Sequence, residues 1–323
     1  MAALAASVAA LAGLASLGVQ RTGLSVAVTT RAYTEPPLYR LDRTRDARLS
    51  TDADGLVVRV AQPVRRVVSQ YWSIDEYVYS IVPPEKVVGV SESAWQERIS
   101  NVLPLVRRFQ PVVATDPERV LMAAPDLIFV SSSARADYTA AVRSTGTPIF
   151  RMFTMFKTLG DVERGIELVG HLTGHDAEAR REAALLRATI LRARARKPSR
   201  AAAPRVLGLG GRYSYGSETL FHDILATVGA VNVAAEGGLK GYDPVTPEQI
   251  LIWDPDWLVC GADPGKLKDR AATLLSDPAI GATSAARGGR ILVFENRIFL
   301  SMSPFVRVFI EVLGEGLYGR PAG

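Results

Sequence analysis

The chain has one cysteine, Cys260, and three histidines among 323 residues. A single thiol closes no internal disulfide and builds no zinc ribbon or redox pair. His171 and His175 stand four apart in a helical pattern, which would put two imidazoles on one face. Gly174 interrupts that pattern and no third ligand is near, so no resident metal is expected. His222 sits alone in another helical stretch. The run Gly208-Leu209-Gly210-Gly211-Arg212-Tyr213 begins like a dinucleotide fingerprint but ends in tyrosine, where glycine is needed for close helix packing. Gly89-Val90-Ser91-Glu92-Ser93 lacks the closing glycine of a nucleophile elbow. Ser73-Ile74-Asp75-Glu76 reads as a capping box opening a helix, with structural carboxylates. No acid/base or nucleophilic set converges, which removes the basis for an enzyme reading.

Charge is also nearly balanced once it is located. The net excess of +5 is concentrated in Asp176–Arg200, whose apolar positions Ala179, Ala183, Leu186, Ile190 and Ala193 recur at steps of four and three. That spacing makes an amphipathic helix with a solvated, arginine-rich face, and no nucleic-acid-binding module accompanies it.

What is present is an ordinary globular composition, 48% apolar and 22% charged, at a length that suits about two domains. Met1–Gln20 carries no charged side chain and is rich in Ala, Leu and Val. Residues 1–27 read as a secretory signal, with Ser25 and Ala27 offering a cleavage site, or as an uncleaved signal anchor. Residues 28–54 are polar and read as irregular.

From residue 55 the chain alternates short β-rich runs with helical patterns. Arg65–Ser69, Lys86–Val90, Pro111–Ala114, Asp126–Val130 and Pro148–Met152 form one series. Arg205–Gly208, Asn232–Ala234, Trp257–Cys260 and Arg290–Phe294 form a second. This grammar predicts an α/β fold of two Rossmann-like lobes with mainly parallel sheets, at 55–157 and 198–323. Between them, 158–197 shows only helical periodicity and predicts a long interlobe helix. Its stretch from His175 to Arg196 would span about 33 Å.

An internal repeat supports two like lobes. Asp116-Pro117-Glu118-Arg119-Val120-Leu121 leads to Pro125-Asp126-Leu127-Ile128-Phe129-Val130. At an offset of 130, Thr246-Pro247-Glu248-Gln249-Ile250-Leu251 leads to Pro255-Asp256-Trp257-Leu258-Val259-Cys260. A capping residue, proline in the first turn and a Pro-Asp turn into an apolar strand define a helix-turn-strand unit.

With these residues the chain resembles the class III substrate-binding proteins of ABC importers, the group that binds ferric siderophores, haem and cobalamin. The matching stretches are Pro63-Val64-Arg65-Arg66-Val67-Val68-Ser69, Pro84-Glu85-Lys86-Val87-Val88-Gly89-Val90-Ser91, both Pro-Glu copies, Gly229-Ala230-Val231-Asn232 and Ser303-Pro304, between about residues 55 and 318. The resemblance implies a monomeric periplasmic binder, free or anchored by its amino terminus. It would hold an iron or cobalt complex, with no intrinsic cofactor, in an interlobe cleft and deliver it to a permease dimer with its ATPase. It also implies that Glu118 and Glu248, one per lobe, dock on the permease. A carboxylate in a first helical turn is equally explained by the helix dipole.

Ligands of open α/β sheets bind beyond the carboxyl ends of the strands. The residues there are rich in aromatics: Tyr71, Trp72, Trp95, Phe153, Phe156, Tyr213, Tyr215, Tyr242 and Phe299. Arg212 and Arg297 stand at the same positions and could pair with cargo carboxylates. This set predicts a wide, aromatic, largely preformed cleft for a bulky conjugated ligand. The competing readings are an α/β enzyme in the same cleft and a binder of bare metal ions or oxyanions, which would need a small polar one.

Overall fold

A computed structural model describes residues 20–22, 39–114, 116–196 and 203–319. The amino-terminal signal expected over 1–27 therefore lies outside the described residues except for Gln20–Thr22. These form an edge strand paired antiparallel with Ile291–Glu295. Among the described residues no helix is long and apolar enough to cross a membrane.

Two sheets organise the chain. The first has five parallel strands in the order Val112–Val113, Val87–Val90, Val67–Ser69, Leu127–Ser131 and Ile149–Met152. Helices cover both faces of such a sheet, so its strands are continuous apolar runs; every residue of Leu127–Ser131 is buried. The second has seven strands, in which Arg205–Gly210, Trp257–Ala262 and Ile291–Glu295 are parallel neighbours. Tyr213–Tyr215 and Tyr242–Pro244 extend that sheet antiparallel, and Val231–Asn232 joins the start of Arg205–Gly210. Phe129 and Phe150 in one lobe, and Trp257, Phe294 and Phe309 in the other, are fully buried.

The segment between the sheets is helical, as two antiparallel pieces. Leu159–Thr173 opens on a capping box: Thr158 Oγ1 accepts from the Asp161 N–H at 3.0 Å and Asp161 Oδ2 accepts from the Thr158 N–H at 2.8 Å. The helix stops at Gly174, whose φ of 77° lets the chain reverse into Asp176–Arg196. The second piece pairs with the carboxy-terminal helix Val306–Tyr318, through Arg192–Glu311 at 2.6 Å and Arg307–Glu182 at 2.7 Å. It thus fastens the connecting hairpin to the second lobe.

The polar stretch read as irregular up to residue 54 is structured in its described part. Leu41–Arg43, Ala47–Thr51 and Val57–Ala61 form a three-stranded antiparallel sheet. Apolar alternation could not reveal it because polar contacts hold it down. Arg48 makes a two-pronged pair with Asp176 at 2.8 and 3.0 Å. The His171 Nε2–H donates to the Asp42 or Leu49 carbonyl, at 3.0 and 3.1 Å. His171 is therefore committed to packing, and His175 faces Lys86 at 3.2 Å.

Candidate functional site

At the carboxyl edge of the second sheet, the chain leaves Gly210 through a tight hairpin at Gly211-Arg212 and returns as Tyr213–Tyr215. Tyr215 then lies directly opposite Tyr242 in the next strand, so both rings share one face. Their centroids are 5.5 Å apart, edge to face. Phe299 meets Tyr215 at 5.5 Å and Phe221 at 5.9 Å, and Phe309 closes the stack behind it at 5.6 Å. This cluster needs bare backbone beneath it. A Cβ at Gly208 would stand 2.5 Å from the Phe221 ring and 2.9 Å from Tyr215, and one at Gly210 would collide with Tyr215 Oη. The glycines that imitate a dinucleotide fingerprint are the floor under two aromatic rings.

From the first lobe Tyr71 approaches this cluster, near enough to act on Tyr242, and its ring lies 6.0 Å from that of Trp72 at the start of the helix Trp72–Ile81. Burial, with Tyr71 nearby, pushes the Tyr242 phenol up to about 12. Tyr242 is nevertheless 37% exposed, whereas Tyr215 and Phe299 are buried. The pocket lined by Tyr215, Tyr242, Phe299, Ser301 and Met302 has a volume of only ≈ 30 Å³. That space, room for a water or two, lies within the second lobe, beneath the rings.

The other predicted residues divide. Trp95 is half-buried in the 3-10 turn Glu92–Trp95, and its indole N–H is buried without a partner. Among the described residues no ring contact joins it to the cluster. Phe153 is 37% exposed but is tied to Tyr39, whose hydroxyl accepts the Phe153 N–H at 2.9 Å. Phe156 is core packing, edge-on to Tyr77. Tyr213 and Arg212 are exposed at the hairpin. Arg297 is already neutralised: its Nε and Nη2 lie 2.6 and 2.5 Å from Glu295 Oε2, which leaves a poor partner for a cargo carboxylate.

Sequence reasoning missed a polar clasp between the lobes. Asp75 and Glu76 cap nothing; the helix begins after Tyr71 without a side-chain cap, and both carboxyls are fully buried. Asp75 accepts from the hydroxyls of Ser69 and Ser91 at the ends of two strands. Glu76 accepts from Asn101 Nδ2 at 2.7 Å and from the Ser303 hydroxyl of the other lobe. Asn101 Nδ2 also donates to the Arg297 carbonyl at 2.7 Å. Burial raises Asp75 to about 7 and Glu76 to about 8, against the opposing pull of these donors. The only signal in sequence was two adjacent acids after a strand, which a helix start explains as well.

Glu118 and Glu248 are both exposed, and the repeat that carries them is structurally equivalent in the two lobes. Asp116 caps Pro117–Met122 by accepting from the Arg119 N–H, and Thr246 caps Pro247–Trp253 by accepting from the Gln249 N–H. Each helix ends on a left-handed residue, Ala124 (φ 44°) and Asp254 (φ 38°). Asp126 Oδ2 then accepts from the Arg65 and Arg66 N–H groups, as Asp256 Oδ2 does from that of Arg205. The left-handed positions give a contrast. Ala124→Gly should be neutral to stabilising, by up to about 0.5 kcal/mol, because relief of strain outweighs lost chain stiffness. Asp254→Gly should cost about 1–2 kcal/mol, since Asp254 accepts from Ser284 N and Oγ at 2.6 and 2.7 Å. Urea midpoints that reverse this order would refute the strain account.

Two α/β lobes, braced by a helical hairpin and enclosing an aromatic site at facing strand ends, define a solute-binding protein of the kind that serves ABC importers. The chain belongs to the periplasmic binding protein family, matching it over residues 67–297. It is thus a non-enzymatic periplasmic solute carrier that works with a membrane permease. No curated protein matches it in sequence. Among solved structures, the periplasmic haem-binding protein RhuT from Roseiflexus sp. RS-1 is 24% identical at a TM-score of 0.67, covering 79% of this chain and 98% of its own. A periplasmic haem-binding protein from Pseudomonas aeruginosa is also 24% identical, at 0.66, over 80% and 95%. The molybdate-binding protein MolA of Haemophilus influenzae is 18% identical at 0.70, over 84% and 91%. Likeness at these identities establishes the shared fold.

Proposed function

We propose that the protein captures a large planar metal chelate, haem first, between its lobes and delivers it to its permease. The observation that carries this reading is the ring set itself. Tyr242, backed by Tyr215 and Phe299, has Tyr71 of the first lobe near it, with Trp72 beside Tyr71, and among the described residues no unpaired buried cation joins them. A small oxyanion would need buried donors there, whereas aromatic faces suit a conjugated ring. Two structural relatives are haem-binding proteins, which agrees with this, and the molybdate-binding MolA represents the competing cargo.

The test is a tryptophan-fluorescence titration with haemin, a ferric hydroxamate, cyanocobalamin and molybdate. Haemin should quench saturably with a micromolar or tighter Kd, which corresponds to about 8.2 kcal/mol. Tyr242→Ala should weaken it about tenfold, the upper end of what one aromatic contact contributes. Tyr242→Phe separates packing from ligation: retained affinity with an altered visible spectrum would make the phenol oxygen an iron ligand. Binding of molybdate alone would overturn the haem reading.

A further inference from the structure

Beside the ring cluster stands an ion triad that joins the lobes. Lys157 Nζ lies 3.5 Å from Glu218 Oε2, and Lys240 Nζ lies 3.4 Å from Glu218 Oε1. Lys157 ends the loop that leaves the first-lobe strand Ile149–Met152, whereas Glu218 and Lys240 belong to the second lobe. The ladder that pairs Tyr215 with Tyr242 runs on into them: the Gly216 N–H donates to the Gly241 carbonyl at 2.8 Å, and Ser217 pairs with Lys240. The triad therefore sits at the end of the two strands that carry the tyrosines.

Its frame is rigid and its grip is weak. Glu218 is left-handed, with φ 62°, a strained conformation for a residue other than glycine and one that gathers at ligand clamps. Two residues past Lys157, the Leu159 N–H donates to Asp223 Oδ2 at 2.7 Å; Asp223 lies on the helix Leu220–Thr227, which Thr219 caps directly after Glu218. That bond fixes the two lobes to one another on either side of the triad. The side chains of Lys157, Glu218 and Lys240 are nevertheless 37%, 39% and 77% exposed, and long ion pairs in water contribute little. Lys240, and after it Lys157, hold the Glu218 carboxyl below the usual carboxylate range, so it stays an anion. A preorganised anion site with a weakly held occupant is open to exchange.

Resting on the planar-chelate reading above, we propose that Glu218 is an internal competitor, which fills a two-lysine site until a carboxylate on the edge of the cargo takes its place. The cargo is then an anionic chelate, with its ring at Tyr242 and its acid edge at the triad. Exchange of one carboxylate for another keeps both lysines neutralised and releases Glu218 to water. The same device selects cargo. A neutral chelate gains the ring contact but cannot replace Glu218, so the glutamate discriminates by what it withholds as well as by what the lysines offer.

The test titrates the full chain with haemin and with haemin dimethyl ester, the same ring with its carboxylates masked, both delivered from dimethyl sulfoxide and read by tryptophan fluorescence. Wild type should favour haemin. Glu218→Gln should tighten haemin about threefold, the weight of one exposed ion pair, and leave the ester unchanged. Glu218→Gly, which suits the left-handed backbone, should match it and so place the effect in the lost carboxylate. Lys157→Gln with Lys240→Gln should weaken haemin about tenfold and erase its preference over the ester. Glu178→Gln, which removes an equally long pair with Arg181 on the connecting helix, should alter neither. A Glu218→Gln protein that loses haemin and ester alike would make the glutamate a plain brace between the lobes and overturn the competitor. An unchanged haemin-to-ester ratio in every variant would also overturn it, with the chelate reading intact because haemin still binds. A wild type that binds neither porphyrin would remove that reading too.

Discussion

Between pH 5 and pH 8 the wild-type protein should lose about 3 kcal/mol more stability than its Glu76→Gln variant. Glu76 is fully buried between the lobes, bonded to Asn101 and Ser303, and burial raises its carboxyl to about 8. A raised carboxyl pKa means that the folded state keeps a proton the unfolded chain has released. Its contribution is therefore complete below the unfolded pKa of about 4.3 and is lost as pH rises through the folded one, at about 1.4 kcal/mol per unit. Asp75, raised to about 7, has the same sign and a window that closes earlier. His175 and His222 act in the opposite sense: burial lowers both, so the folded state is relieved as pH rises toward the ordinary imidazole range. They are shared by wild type and variant, so the difference between the two curves isolates Glu76. Urea midpoints at pH 5, 6.5 and 8 provide the measurement. Parallel curves would show that the carboxyl is ionised throughout and that the clasp is an ordinary charged network.

This clasp marks where the sequence stops being legible. The two mainly parallel sheets could be read because strands covered on both faces carry unbroken apolar runs, as at Leu127–Val130 and Ile291–Phe294. The Pro-Glu repeat could be read because caps, proline and the Pro-Asp turn act locally. The connecting helices carried their own period and their own stop at Gly174. By contrast, the sheet at 41–61 is held by Arg48, Asp176 and His171, partners more than 100 residues apart, and leaves no periodic trace. Tyr213–Tyr215 and Tyr242–Pro244 are three-residue strands, too short for a pattern. Of the aromatics that follow strands, Tyr215, Tyr242 and Phe299 meet in one cluster, with Tyr71 near Tyr242. The same rule also selected Phe153, tied to Tyr39, and Arg297, tied to Glu295. Which face a residue turns after a strand depends on contacts that sequence order does not encode.

Gly208→Val should destabilise the protein by about 3 kcal/mol and abolish ligand capture, because the strand Arg205–Gly210 has no space above it. Its Cβ would sit 2.5 and 2.6 Å from Phe221 ring atoms, and that ring is locked between Tyr215 and Phe299. Steric load and backbone strain can be separated within four residues. Gly211 has φ 68° and nothing within 4 Å of an added Cβ, so Gly211→Ala should cost about 1 kcal/mol through conformation alone and leave capture intact. Gly210→Ala loads the site differently, since its Cβ meets chiefly the Tyr215 hydroxyl. Removing that oxygen in a Gly210→Ala, Tyr215→Phe double variant should restore at least half of the lost stability, a coupling expected only of groups in contact. Haemin titration of the same four proteins connects packing to function. If Tyr215 forms the back wall against which Tyr242 is set, binding should follow ring position, failing in Gly208→Val and returning in the double variant. Additive losses with unaltered binding would make the glycines ordinary strand residues and the ring cluster mere core.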